Sequence, residues 1–288
     1  MRDPDPTPSL ADAPAILALP LTAGANQAPP PAAGATHALP PAGGAVLAFA
    51  LGLAAGSFVN VLIHRVPRGQ SVVNPPSACP HCGRRLAPRD LIPLVSFVRT
   101  RGRCRYCGAP ISWQYPLVEA GCAAGFAALW LALRRPGSWA AYATLMALLV
   151  ALAAIDLRHR TLPNRLTVAG LASGLLFAAA GWTVGLGNAV AGAAVGGLAL
   201  VALAVASRGG VGMGDAKLLA MIGAYLGPWG ALGTLVWASL AGTLVGAGLV
   251  LARRVGLRQP VPFGPFLALG TLLSALTVPA WLARMGLR

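Results

Sequence analysis

Apolar residues run along this chain in long blocks, and polar residues gather between them. The blocks cover about residues 45–63, 117–133, 139–155, 166–185, 189–206, 216–226, 229–252 and 266–283. Several reach the ~20 residues that a helix needs to cross a bilayer. Gly227-Pro228 ends the sixth block and separates it from the seventh. Gly, Ala and Ser recur along the blocks, which lets helix backbones approach closely. The pattern predicts an all-α polytopic membrane protein with about eight transmembrane segments. Its parts are a tail at 1–43, a first transmembrane helix at 44–64, a polar loop at 65–116 and a membrane domain at 117–288.

Composition supports lipid as the main solvent. Hydrophobic residues make up 56% of the 288 and charged residues 10%, whereas a soluble domain carries about 25% charged residues. The tail differs from the rest. It is rich in Ala and Pro, holds ten prolines and three of the seven acids, and is expected to be disordered. It makes a poor signal peptide, because Arg2 stands alone beside Asp3 and Asp5, and the apolar stretch at 16–21 is short and broken by Pro20.

The net charge of +15 could suggest a nucleic-acid partner. The arginines, however, lie in the short segments between apolar blocks, so no nucleic acid is expected. Nine sit in the 65–116 loop. If that loop is cytoplasmic, eight further basic residues fall on the same side and five on the other. Positive charge marks the cytoplasmic side, so both termini are predicted outside and the loop inside.

That loop carries two copies of one knuckle, Cys79-Pro80-His81-Cys82-Gly83 and Cys104-Arg105-Tyr106-Cys107-Gly108. Thiols stay reduced in the cytoplasm, which favours metal over disulfides. Cys79, Cys82, Cys104 and Cys107 offer four thiolates, a set suited to tetrahedral zinc. The 21 residues between Cys82 and Cys104 lie just beyond the usual spacing of about 15–20, which a zinc-ribbon-like insert can absorb. His81 sits inside a knuckle and is not expected to replace a thiol. Cys122 lies in an apolar helix and reads as a small core residue.

Only two acids remain in the C-terminal half, Asp156 at the end of the third block and Asp215 at the start of the sixth. By the charge pattern both lie at the cytoplasmic face. A carboxylate at hydrocarbon marks function, and two at one depth can share a proton. One can then act as general base on a water while the other protonates the leaving group. Gly210, Gly212 and Gly214 alternate ahead of Asp215, and suggest an extended or kinked backbone where a substrate strand could lie. The competing reading is a glycine-rich turn with Asp215 as a helix N-cap.

The run from Gly210 to Lys217 resembles the Gly-x-Gly-x-Gly-Asp-x-Lys signature of type IV prepilin leader peptidases. Ile155-Asp156 with Leu162-Pro163-Asn164-Arg165-Leu166-Thr167 resembles their other catalytic segment, although many members have an acid where this chain has Asn164. Gly56-Ser57-Phe58-Val59-Asn60-Val61, His64-Arg65, Pro116-Leu117-Val118-Glu119 and Pro262-Phe263-Gly264-Pro265-Phe266 resemble further family segments, in order over roughly 50–270.

The resemblance implies a membrane aspartic endopeptidase in the bacterial cytoplasmic (inner) membrane. It implies Asp156 and Asp215 as the catalytic pair, and type IV prepilins or pseudopilins, cut after a short basic leader, as substrates. In this family the cysteine loop accompanies N-methylation of the new N-terminus by S-adenosylmethionine, for which no cofactor fingerprint is visible here. Lys217 belongs to the motif and reads either as a snorkelling anchor or as a catalytic residue. Glu119 reads either as a helix-dipole contact or as a substrate or methyl-transfer contact. A preflagellin-type peptidase would lack the cysteine loop. A proton-coupled transporter could use the same two aspartates as a relay, but no internal repeat supports it.

Overall fold

The computed structural model describes residues 40–206, 212–253 and 261–284. The readings of the first 39 residues and of Gly210 therefore lie outside the described residues. The described chain is all-helical apart from two isolated β-bridges. Its helices are α1 Pro41–Arg65, α2 Val95–Arg99, α3 Gln114–Leu133, α4 Pro136–His159, α5 Asn164–Ala179, α6 Leu186–Ala206, α7 Met213–Leu251 and α8 Gly264–Arg284. α1 begins ahead of its expected start at residue 44. Pro41 stands in its first turn, where a missing amide proton costs no hydrogen bond.

Among the described residues five helices, α1, α3, α4, α6 and α7, are long and apolar enough to cross a membrane. α5 has 16 residues, about 24 Å of helix, and is shorter than the expected 166–185.

α7 contains both the sixth and the seventh predicted segments. Gly227 (φ 73°) interrupts its helical geometry, and Pro228 follows. The break is a reversal. Asp215 and Thr243 line the same cavity, yet 28 residues of straight helix would hold them about 42 Å apart. The first arm packs against α5 and α6, and the second against α8. Gly192 of α6 and Gly223 of α7 meet backbone to backbone, where a Cβ on Gly223 would fall 2.1 Å from the Gly192 carbonyl oxygen. Close approach through small residues binds apolar helices when both lipid and protein are greasy.

Antiparallel pairing brings many helix ends to one end of the bundle. α1 finishes beside the start of α3, where Asn60 Nδ2 donates to the Tyr115 carbonyl and Gln114 Nε2 donates to Asn60 Oδ1. α4 finishes beside the start of α8, and α5 and α7 start together. The core between the helices is built from fully buried aliphatic side chains, including Ile63, Leu152, Ile155, Leu218 and Ile222.

Candidate functional site

Asp156 stands in the last turn of α4 and is 5% exposed. The backbone amide of Gly264, the first residue of α8, donates to its Oδ2 at 2.8 Å. This is the positive end of a helix meeting a carboxylate, a favourable electrostatic arrangement. Glycine is needed there, because a Cβ on residue 264 would lie 2.9 Å from Oδ2. The Pro262–Phe266 run was visible in the sequence; the grip of its glycine on an aspartate 108 positions earlier was not.

Asp215 is the third helical residue of α7, and the N-cap is Gly212. The N-cap reading for Asp215 is therefore corrected by three positions. Its side chain turns back to accept the Gly212 amide, one half of a capping box. The extended reading of the glycine run is corrected at Gly214 alone among the described residues. Gly212 is extended, but the helix begins at Met213, so Gly214 is helical and packs on Leu162.

The charges of Asp156 and Asp215 act directly on each other. Both line a cavity of about 470 Å³ together with Arg160, Ser239, Thr243 and Phe263. Arg160 adopts a left-handed conformation at the C-cap of α4. The sequence marks it only as one of the eight further basic residues on the loop's side. Ser239 and Thr243 come from the returning arm of α7, and nothing in the sequence marks them apart from other small helix residues. The cavity combines two carboxylates, a cation, two hydroxyls and apolar walls. It can hold an extended peptide segment and a water for acid–base hydrolysis.

Lys217 lies beside this cavity without lining it. Its Nζ donates to Asn164 Oδ1 at 2.8 Å, joining the starts of α7 and α5. The departure at Asn164 and the motif lysine thus meet each other. Glu119 is 8% exposed and accepts the Leu94 amide at 2.8 Å and a hydrogen bond from Ser57. It ties the cysteine loop to α1 and α3, a role that neither sequence reading included.

The two knuckles repeat one hydrogen-bond pattern. The Cys79 amide donates to the Arg84 carbonyl and Gly83 to Cys79; Cys104 donates to Ala109 and Gly108 to Cys104. The four sulfurs lie within 4.8 Å of one another, with Cys79 Sγ and Cys107 Sγ 3.9 Å apart. Tetrahedral zinc with bonds of about 2.3 Å needs sulfurs about 3.8 Å apart, so the donor set fits. Asp90 braces the assembly. It accepts from the Tyr106 hydroxyl at 2.8 Å and the Ala87 amide at 3.1 Å, and pairs with Arg105 at 3.6 Å. The Tyr106 bond above all holds its carboxyl below the usual range. Cys122 is fully buried, as read from the sequence.

Residues 50–133 match the Bacterial Peptidase A24 N-terminal domain, and residues 143–247 match the Type IV leader peptidase family. A prepilin leader peptidase/N-methyltransferase of Aeromonas hydrophila is 41% identical over 80% of this chain and 89% of its own length. A protein of the same name from Bacillus subtilis (strain 168) is 37% identical over 80% of this chain and 93% of its own. Another from Burkholderia pseudomallei (strain K96243) is 40% identical over 78% and 83%. No solved structure matches this chain. With both family regions present in order and such identity over most of each relative's length, the chain belongs to the type IV leader peptidase family.

Proposed function

We propose that this chain is a prepilin leader peptidase and N-methyltransferase of the bacterial inner membrane, cutting type IV prepilins or pseudopilins with Asp156 and Asp215 at the cytoplasmic face. The observation that carries this reading is the convergence of Asp156 and Asp215, 59 positions apart, on one cavity at one end of the bundle. The names of the relatives supply the substrate class and the second activity.

In the proposed reaction the pair acts on a water held between substrate and carboxylates. One aspartate takes its proton as the other protonates the departing amide nitrogen. The Gly264 and Gly212 amides fix the two side chains, so that little reorganisation accompanies proton transfer. Asp156, Asp215 and the cysteine loop are assigned to the cytoplasmic side by the excess of arginine around them. Eight crossings follow if α5, α8 and each arm of α7 span singly. A transporter would need its acids on a path between two faces, and both acids of this pair open on the same end of the bundle.

Zinc on Cys79, Cys82, Cys104 and Cys107 would cross-link the knuckles and order a loop too polar to build its own core. The second cavity, beside Cys104, does not suit S-adenosylmethionine. It is lined by Arg89, Arg99, Arg103 and Arg105, which repel a sulfonium. The test is incubation of detergent-solubilised protein with a prepilin peptide and methyl donor, followed by intact mass. A product shortened by its leader and heavier by one methyl group is expected. An unchanged peptide contradicts the reading.

A further inference from the structure

We propose that segment 89–105 is a binding site for an anionic phospholipid, whose phosphate headgroup enters the arginine-lined cavity beside the second knuckle. The cavity is about 340 Å³ and is lined by Arg89, Arg99, Arg103 and Arg105, with Ser96, Thr100, Asp90 and Cys104. Four guanidinium groups face one carboxylate. That carboxylate, Asp90, is already engaged by Tyr106, Ala87 and Arg105. Among the described residues no acid pairs with Arg89, Arg99 or Arg103. Like charges gathered on one cavity repel unless an anion joins them, and guanidinium forks match phosphate oxygens two at a time.

The same segment shows why the phosphate belongs to a lipid. Leu91 and Ile92 are 42% and 44% exposed, and Val95 and Val98 on α2 are 48% and 72% exposed. Val95 and Val98 are three apart and share a helix face. Exposed apolar side chains among arginines are the pattern of a surface seated at a headgroup boundary. Position agrees, because the Leu94 amide is held by Glu119 of α3, which keeps the segment beside the end of a membrane helix. The inference rests on the membrane placement of α1 and α3, not on peptidase activity, so loss of one leaves the other intact.

The test uses the full chain with zinc bound. The protein is released from mixed micelles of phosphatidylglycerol and phosphatidylcholine, and retained lipid is counted by native mass spectrometry. Each arginine near an anionic surface is worth about a fivefold change in affinity. R99Q/R103Q should therefore lower phosphatidylglycerol retention roughly thirtyfold, and R134Q/R135Q, at the opposite end and outside the cavity, should lower it far less. A photoactivatable phosphatidylglycerol should cross-link to peptide 89–105 of the wild-type chain, a readout that needs no variant to fold. Equal retention of the two lipids, cross-links confined to the membrane helices, or full displacement by inorganic phosphate would each overturn the proposal.

Discussion

Replacing Gly264 with alanine builds a Cβ 2.9 Å from Asp156 Oδ2 and 3.2 Å from Asp156 Cβ. Ordinary contact begins near 3.4 Å, so about half an ångström must be found. Asp156 is buried and its neighbours Leu152 and Ile155 are fully packed, which leaves little room to yield. Either α8 shifts outward or the carboxylate rotates away, and both lengthen the 2.8 Å bond from Gly264. A hydrogen bond to a charged group contributes about 1.5–3 kcal/mol, and a displacement of ~1 Å at a reacting group can cost ~10²-fold. Gly264→Ala should therefore lower kcat for leader cleavage by about 10–100-fold with little change in KM. The assay is cleavage of a prepilin peptide by reconstituted protein, with zinc content as the check on the loop. A variant within twofold of wild type in kcat would refute the claim that this amide positions Asp156.

Cys82→Ser should reduce bound zinc well below the roughly one ion per chain expected of the wild type, read by metal analysis, and should loosen the loop at 79–108. A reporter fused after Arg89 should read cytoplasmic and one after Arg135 external; the opposite pattern would invert the assigned orientation. Asp90, whose carboxyl is held low chiefly by Tyr106, should stabilise the loop fully above the ordinary aspartate value of about 3.9. That contribution should fade as pH falls through the lower folded-state value. Hydrogen exchange across 84–106 should show Asp90→Asn less protected than wild type at pH 6, with the gap closing in stronger acid.

The helices were largely legible in the sequence because long apolar blocks and a Gly-Pro break are local signals. Gly227-Pro228 marked a boundary, but the return of the second arm to the Asp215 end depends on packing against α8, which no local pattern reports. The clustering of Cys79, Cys82, Cys104 and Cys107 was legible because two close thiol pairs in matching knuckles point to one four-sulfur group, and the structure brings the sulfurs together and repeats the hydrogen bonds of one knuckle in the other. Glu119 shows the limit. Its partner is the Leu94 amide, and any residue can donate such a bond. Gly214 differs for a related reason: glycine permits an extended chain but does not require one, so Gly212 is extended while Gly214 is taken into the first turn of α7. Ser239 and Thr243 resemble the small residues that elsewhere let helices touch.

The central claim is that Asp156 and Asp215 act as one catalytic unit, and substitution of each by asparagine tests it most directly. Asn keeps the shape of Asp but cannot pass a proton between water and peptide. General acid–base help is worth ~10²–10⁴-fold per group, and members of a unit lose nearly as much singly as together. Asp156→Asn, Asp215→Asn and the double variant should each cut prepilin at least ~10²-fold more slowly than wild type, by similar factors and with zinc retained. Cleavage by either single variant at close to the normal rate would contradict the two-aspartate account.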